Sequence, residues 1–272
     1  VRITSGLEIG NSARLALIAG PCVIESEEHV HFLASELAKL GAPWVFKASF
    51  DKANRSSVDS FRGPGLKEGL RILKTVRDRG IPVLTDIHEP SQADVVAEAV
   101  DILQIPAFLC RQTDLLVAAG RTRRVVNIKK GQFVSPYDVR LAADKVASTG
   151  NDRILLTERG SSFGYNNLVV DMRGIAIMRG SGFPVVFDAT HSVQLPGAAG
   201  TASGGQPEFI EPLAKAAVAA GADAVFVEVH EAPERALSDG ANALRLDKLP
   251  VLWEKLRRIW AATHETAQQI PV

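Results

Sequence analysis

Between Phe46 and Ser57 the chain reads Phe-Lys-Ala-Ser-Phe-Asp-Lys-Ala-Asn-Arg-Ser-Ser. The apolar run Trp44–Phe46 reads as the end of a buried strand. Lys47 follows at once, and Lys52, Asn54, Arg55, Ser56 and Ser57 arrive within one loop's length. Cationic groups are too costly to leave unpaired at the end of a buried strand, so an anion is expected to meet them. The planar fork of arginine and the point charge of lysine suit phosphate and carboxylate groups. A solvated basic loop is the alternative, but such loops seldom follow an apolar strand so closely. Lys129 and Arg159 extend the cationic set, giving enough positive charge for two anionic substrates. Carboxylates such as Asp86 or Glu158 are expected to pair with one of these five cations, not with all five.

A second set consists of Cys22, His191, Glu228 and Asp239. A thiolate, an imidazole and two carboxylates suit a borderline divalent cation, with room left for water or substrate. No C-x-x-C or H-x-x-x-H spacing ties these residues together, and Cys22 alone also fits a small buried hydrophobe. His88 is a candidate substrate contact, and His230 reads as either a neighbour of the ligands or an exposed residue. His29, His31 and His264 are expected on the surface, and Cys110 in the packed interior. The glycine-rich run Leu195–Gly205 is too long for a simple turn and reads as a mobile loop over the site. It lacks the lysine of a P-loop, which disfavours nucleotide binding.

These residues need a scaffold that gathers them. Apolar, β-rich runs occur at Leu15–Ala19, Trp44–Phe46, Val83–Leu84, Ile102–Ile105, Val125–Ile128, Ile154–Leu156, Val185–Phe187 and Ala224–Val227. Amphipathic helical segments separate them. The first opens at Ser26 with Glu27 and Glu28, a capped and acid-favouring start. It carries Val30, Leu33, Leu37 and Leu40 at helical spacing and stops at Gly41. The last places Leu249, Leu252, Trp253, Leu256 and Ile259 on one face. Alternating strands and helices imply a parallel sheet covered by helices, and eight repeats imply closure into a (β/α)8 TIM barrel. Weak alternation around Gly6 and Gly10 adds a short N-terminal β-hairpin. The expected organisation is one domain over 1–272, with the hairpin at 1–12 and the barrel at 13–265.

In such a barrel the active site lies at the carboxyl ends of the strands. Those ends read Cys22, Lys47, Asp86 with His88, Gln104, Lys129 with Lys130, Glu158 with Arg159, Asp188 with His191, and Glu228. Every end carries a polar or ionisable group.

Composition sets the outer bounds. The 272 residues are 46% hydrophobic, enough for one large core, and formal net charge is zero. Nothing therefore advertises nucleic acid or an anionic membrane. Two cysteines make a disulfide framework improbable and fit a reducing compartment. The first eleven residues lack an apolar run of signal-peptide length, and no run approaches a membrane span, so a cytoplasmic location is expected.

Several stretches together resemble the 3-deoxy-D-manno-octulosonate 8-phosphate synthase family. They are Lys47–Ser57, Gln104–Asp114, Asn127–Phe133, Leu156–Gly160, Phe163–Leu168 and Asp188–Gly197. The resemblance covers nearly the whole chain except the N-terminal residues and the final helix. It implies condensation of phosphoenolpyruvate with arabinose 5-phosphate and water, giving an eight-carbon keto sugar acid phosphate and inorganic phosphate. That acid enters lipopolysaccharide in Gram-negative bacteria and a pectic polymer in plants. The resemblance assigns Lys129 and Arg159 to the phosphate of phosphoenolpyruvate, and Lys47 and Lys52 to its carboxylate end. Asn54, Arg55 and Ser56 receive arabinose 5-phosphate, and Ser49 and Gln104 complete the substrate contacts. Arg111 of a neighbouring subunit meets the sugar phosphate, since the family is typically tetrameric. Lys47, Lys52, Asn54, His191 and Cys22 are the expected catalytic residues.

Gly20-Pro21-Cys22 resembles the metal-dependent branch, where the other branch resembles Gly-Met-Asn, and Lys129-Lys130-Gly131 agrees. One divalent metal ion per subunit is implied, on Cys22, His191, Glu228 and Asp239, with zinc, iron and manganese all open. The sister synthase that makes 3-deoxy-D-arabino-heptulosonate 7-phosphate from erythrose 4-phosphate is the nearest alternative. Its loop resembles Lys-Pro-Arg-Thr-Ser, unlike Lys52–Ser57. A Schiff-base aldolase using Lys47 or Lys129 and a phosphosugar-binding protein without turnover are more distant alternatives.

Overall fold

The computed structural model describes residues 1–10, 14–55, 57–197 and 204–264. Eight parallel strands close into a barrel: β1 (Ala16–Gly20), β2 (Trp44–Lys47), β3 (Val83–Asp86), β4 (Ile102–Ile105), β5 (Val125–Lys129), β6 (Ile154–Glu158), β7 (Val185–Asp188) and β8 (Ala224–His230). Closure is by β1 on β8, in a register that sets Ala16 beside Ala224 and Gly20 beside Glu228. Eight helices cover the outside: α1 (Glu27–Ala38), α2 (Leu66–Arg77), α3 (Ala93–Ala99), α4 (Thr113–Arg121), α5 (Val139–Ala147), α6 (Arg173–Arg179), α7 (Ile210–Ala219) and α8 (Leu249–His264). The expected (β/α)8 architecture is therefore present. Among the described residues no helix is long and apolar enough to cross a membrane.

Each of the eight apolar runs forms one strand, but seven extend further toward the carboxyl end than the runs do, six of them through an ionisable residue. Lys47, Asp86, Lys129, Glu158, Asp188 and Glu228 belong to the strands themselves. A sheet ladder needs only backbone groups, so polar side chains continue it provided that partners exist for them at the barrel mouth. Extended backbone thus fixes the direction of most of the chemical groups.

Local signals set the helices. Ser26 is extended and its hydroxyl accepts from the His29 N–H at 3.1 Å, capping α1, whose Val30, Leu33, Ala34 and Leu37 are buried. Gly41 adopts a positive φ of 58° just past the helix end. Leu249, Leu252, Trp253 and Leu256 form the buried face of α8.

Two apolar layers result. One lies between strands and helices; the other fills the barrel with Ile18, Val45, Leu84, Ile102, Val125, Leu155, Val186 and Phe226. The N-terminal segment closes the second layer from the amino end. Arg2 and Glu8 form an antiparallel bridge, and Ile3, Leu7 and Ile9 are buried in this interior layer. The hydrophobic plug leaves the opposite mouth as the opening for ligands.

The close approach of β1 and β2 restricts one residue to glycine. A Cβ on Gly20 would lie 1.9 Å from the Lys47 carbonyl oxygen, and backbone cannot yield as a flexible side chain can. Gly20→Ala is predicted to separate the strand ends that carry Cys22 and Lys47, losing about 3 kcal/mol of stability or failing to fold. Urea unfolding checks this, and an unchanged midpoint would contradict the reading.

Candidate active site

A cavity of about 1310 Å³ opens at the carboxyl ends of the strands. It is lined by Lys47, Lys52, Asn54, Arg55, Gln104, Lys129, Arg159, His191, Glu228 and Asp239 among the expected residues. Cys22 lies behind Asp239, its sulfur 3.2 Å from Asp239 Oδ2 and 2.8 Å from the Ser238 hydroxyl. Ser49 does not line the cavity: its hydroxyl donates to Asp86, one layer down. Arg111 is exposed beyond the 3-10 turn Ala107–Leu109 and does not line the cavity of its own chain. Ser56 and residues 198–203 of the glycine-rich run lie outside the described residues. The flanks of that run, Gln194–Leu195 and Gly204–Gly205, pair as an antiparallel ladder.

The cationic set is not left free for substrate, as the sequence reading expected. Four of its five members meet carboxylates. Lys47 bonds to Glu228 and donates to the Cys22 carbonyl at 2.8 Å. Lys129 bonds to Asp188. Lys52 sits 3.9 Å from Glu228 and 4.0 Å from Asp86, and Arg55 lies 3.4 Å from Asp239. Buried cations at this density would repel one another without anions among them, so carboxylates share the strand ends with the lysines. Arg159 differs. It donates to the neutral Gln194 side chain at 3.0 Å, and its buried Nη1 has no hydrogen-bond partner among the described residues.

Burial and neighbouring charge compete throughout. Burial alone raises the Glu228 carboxyl, but Lys47, His191 and Lys52 outweigh it and hold the group below the usual carboxylate range. Burial likewise opposes ionisation of Asp86, against which Lys52, Lys47 and His88 prevail with help from the Ser49 hydroxyl. Burial disfavours the Lys52 ammonium, yet Cys22, Glu228, Asp86 and Asp239 carry it above the ordinary lysine value. Burial wins at Lys129, whose affinity for its proton falls despite Asp188. It wins at Cys22 too, where Asp239 and Glu228 reinforce it and push the thiol well up.

Phe226 floors the site. The Lys129 nitrogen lies 3.3 Å from its ring centroid and the Lys47 nitrogen 5.7 Å away, within cation–π range. Beside this floor a one-way chain of hydrogen bonds crosses the barrel. Thr157 donates to Asn127 at 2.7 Å, Asn127 to Gln104 at 2.8 Å, and Gln104 to Asp86 at 2.5 Å. All these side chains are buried, so the direction of donation fixes the Gln104 amide and leaves the carboxylate as final acceptor.

Cys22, Glu228 and Asp239 each offer a donor atom within 4.8 Å of the others. His191 Nε2 lies 3.7 Å from Glu228, while its Nδ1 sits 2.7 Å from Asp188, the carboxylate–imidazole arrangement that orients a ligating histidine. The mixture of sulfur, nitrogen and oxygen donors fits a borderline divalent cation. An ion held there would draw the proton from the Cys22 thiol, since the thiolate is the ligand form.

Sequence reading leaves Ser238, Gln194, Phe226, Asn127 and Thr157 out of the site, takes Asp86 as a strand end and a partner for one cation, and takes Asp188 as a strand end only. Asp188 was recoverable from its strand-end position. Neither Gln194 nor Ser238 carries a signal beyond adjacency to other candidates. Lys130, the neighbour of Lys129, points into the wall, 3.5 Å from Glu158 and bonded to the Val134 and Gly160 carbonyls.

The depressed Asp86 has a pH consequence. Its folded value lies below the unfolded value of about 4, so its stabilisation is present above that value and lost as pH falls through the folded one. Asp86→Asn is predicted to lose about 3 kcal/mol near neutrality. The difference from the parent should shrink as pH falls below about 4, because the unfolded parent then takes up a proton that the folded Asp86 does not. Thermal melts from pH 7 to 2 test this, and curves that stay parallel would refute it.

The sequence matches the DAHP synthetase I family over residues 1–265. It is 59% identical over 265 residues to a 2-dehydro-3-deoxyphosphooctonate aldolase of Citrifermentans bemidjiense, covering 96% of this chain and 97% of that one. Proteins of the same description from Syntrophotalea carbinolica and Geobacter sulfurreducens are 64% and 60% identical. The first covers 88% of each chain; the second covers 94% of this chain and 97% of its own. A barrel mouth with interleaved charges and near-full-length identity at this level lead to one conclusion: the chain belongs to the DAHP synthetase I family, among its 2-dehydro-3-deoxyphosphooctonate aldolases.

Proposed function

We propose that this protein condenses phosphoenolpyruvate with arabinose 5-phosphate and water, giving 3-deoxy-D-manno-octulosonate 8-phosphate and inorganic phosphate. The relatives' shared description supports the product class. The observation that carries the reading in the site itself is Arg159, a cavity-lining arginine whose buried Nη1 lacks a partner among the described residues. A phosphate oxygen is the group that satisfies such a donor. Erythrose 4-phosphate, the sister enzymes' substrate, finds no support in the Lys52–Ser57 loop.

Arg159 and Lys129 hold the phosphate of phosphoenolpyruvate in this reading, and Lys47 and Lys52 face its carboxylate. An arriving anion exchanges with Asp188 for Lys129, whose position over Phe226 keeps its charge in a dry setting where each contact counts strongly. Asn54, Arg55 and Ser56 receive the sugar, and Ser49 with Gln104 steadies Asp86 below it. The nucleophile is the substrate's own C3 carbon, which attacks the aldehyde carbon while the aldehyde oxygen gains a proton. Water adds at C2, and the tetrahedral centre then expels phosphate by C–O cleavage. The protein's part is to bring two anions together and hold their reacting carbons in line. Cys22, His191, Glu228 and Asp239 would hold one divalent ion, supplying Lewis-acid polarisation of the aldehyde or of water.

The same reading treats the chain as one barrel domain acting in the cytoplasm, which the two free thiols suit. It also makes the protein a homotetramer in which Arg111 serves a neighbouring site. Support comes from its exposure, and from exposed Phe108, Phe133 and Phe163.

The decisive assay follows phosphate release from phosphoenolpyruvate with arabinose 5-phosphate or erythrose 4-phosphate, on chelator-stripped protein and after divalent metal is returned. Release is expected only with arabinose 5-phosphate and only with metal. Preference for erythrose 4-phosphate would overturn the substrate assignment. A Cys22→Asn variant is expected to retain turnover without added metal. Complete loss of turnover in a folded Cys22→Asn protein would give the ion a more direct part in the chemistry.

A further inference from the structure

A second group of ligand-type side chains lies outside the machinery described above. Glu25 precedes the cap of α1, His29 lies in that helix's first turn, His230 ends β8, and Glu231 follows it. The sequence reading put His29 on the surface. Instead its side chain is only 11% exposed, and His230 is buried as well. The first turn of α1 carries His29 against the end of β8, where Glu231 meets it.

Glu231 Oε2 is hydrogen-bonded to His29 Nε2 at 2.9 Å and stands 3.4 Å from His230 Nδ1, so a single carboxylate lies beside one nitrogen of each ring. The other nitrogens, His29 Nδ1 and His230 Nε2, are buried without a hydrogen-bond partner among the described residues. His230 Nε2 lies 3.5 Å from Glu25 Oε1. Glu25, His29 and His230 each bring a donor atom within 4.8 Å of the other two. Imidazoles that bind metals commonly set their second nitrogen on a carboxylate, the position Glu231 takes for both rings.

We propose that Glu25, His29 and His230 form a second divalent-cation site of the nitrogen–oxygen kind that accepts Zn²⁺, with Glu231 orienting both imidazoles. The Ala232 N–H donates to His230 Nδ1 at 2.9 Å, which puts that ring's proton on Nε2. A cation at Nε2 therefore selects the other tautomer, whose Nδ1 proton faces Glu231, and the Ala232 N–H gives up its acceptor. Glu25 also accepts the Leu237 N–H at 2.9 Å, immediately before Ser238 and Asp239. A cation held by Glu25 thus steadies the loop that presents Asp239 to the first site.

The test counts metal on the full chain. Chelator-stripped protein is dialysed against Zn²⁺ and bound zinc is measured by elemental analysis. In parallel, Co²⁺ is titrated and the thiolate-to-cobalt charge-transfer band is followed, since only a site containing Cys22 produces it. Two zinc ions per chain are expected in the parent and one in His29→Leu. Glu25→Gln keeps an acceptor for the Leu237 N–H and should bind the second ion roughly tenfold or more weakly. The charge-transfer band should persist in both variants, whose folding is checked by circular dichroism. One ion per chain in the parent, with the band present, would overturn the proposal. So would two ions in the parent and in both folded variants. A parent that binds zinc without the band, and loses it in His29→Leu, would uphold this site while removing the reading of Cys22 as a ligand.

Discussion

Buried charges at the barrel mouth have to neutralise one another, and the arrangement of the whole site follows from that constraint. Lys47 and Glu228 sit almost wholly out of water, as do Lys129 and Asp188. Breaking one such pair leaves an uncompensated charge in a poorly solvated place, which typically destabilises by about 3–5 kcal/mol. Rigid strands on a packed interior hold the partners at contact distance. The apolar layer around Phe226, closed from the amino end by Ile3, Leu7 and Ile9, supplies that rigidity.

The same pairing bears on the proposed function. Carboxylates of Asp188, Glu228, Asp86 and Asp239 hold the cations for which, in that reading, substrate phosphates and carboxylates would compete. Lys47, Lys52, Arg55, Lys129 and Arg159 line one cavity with Asp86, Asp188, Glu228 and Asp239, and of these cations Arg159 is the member that ends on a neutral amide. A divalent ion on Cys22, His191, Glu228 and Asp239 would tie up part of the acidic set, leaving more of Lys47 and Lys52 for an incoming anion. Ion binding and substrate binding are then coupled through shared carboxylates, without any movement of the barrel.

Much of the fold was legible in order. Eight apolar runs became eight strands because strands buried on both faces need continuous apolar side chains, which leave a plain trace. Ser26 and the Val30–Leu33–Leu37 spacing fixed α1 for a similar reason: capping and burial act within a few residues. Strand ends were harder to place, since Asp86, Glu158 and Glu228 carry no strand preference of their own. They continue the ladder because partners across the barrel mouth compensate them. The site was legible as a set of strand-end residues, and its pairings were not. Lys129 and Lys130 look alike in sequence, yet β-strand alternation aims one at the cavity and sends the other into the wall.

By itself, the sequence determined the repeating architecture, the identity of the groups at the barrel mouth and the likeness to one synthase family. These depend on residue type and local spacing, which the chain carries directly. Only the tertiary structure decided which groups meet. It set Lys129 over Phe226, ran the hydrogen-bond chain from Thr157 to Asp86, and drew His29 out of solvent to His230. Those contacts join residues tens to hundreds of positions apart, and the closure of β1 on β8 sets their distances. No local pattern reports a distance that is fixed only when the barrel closes.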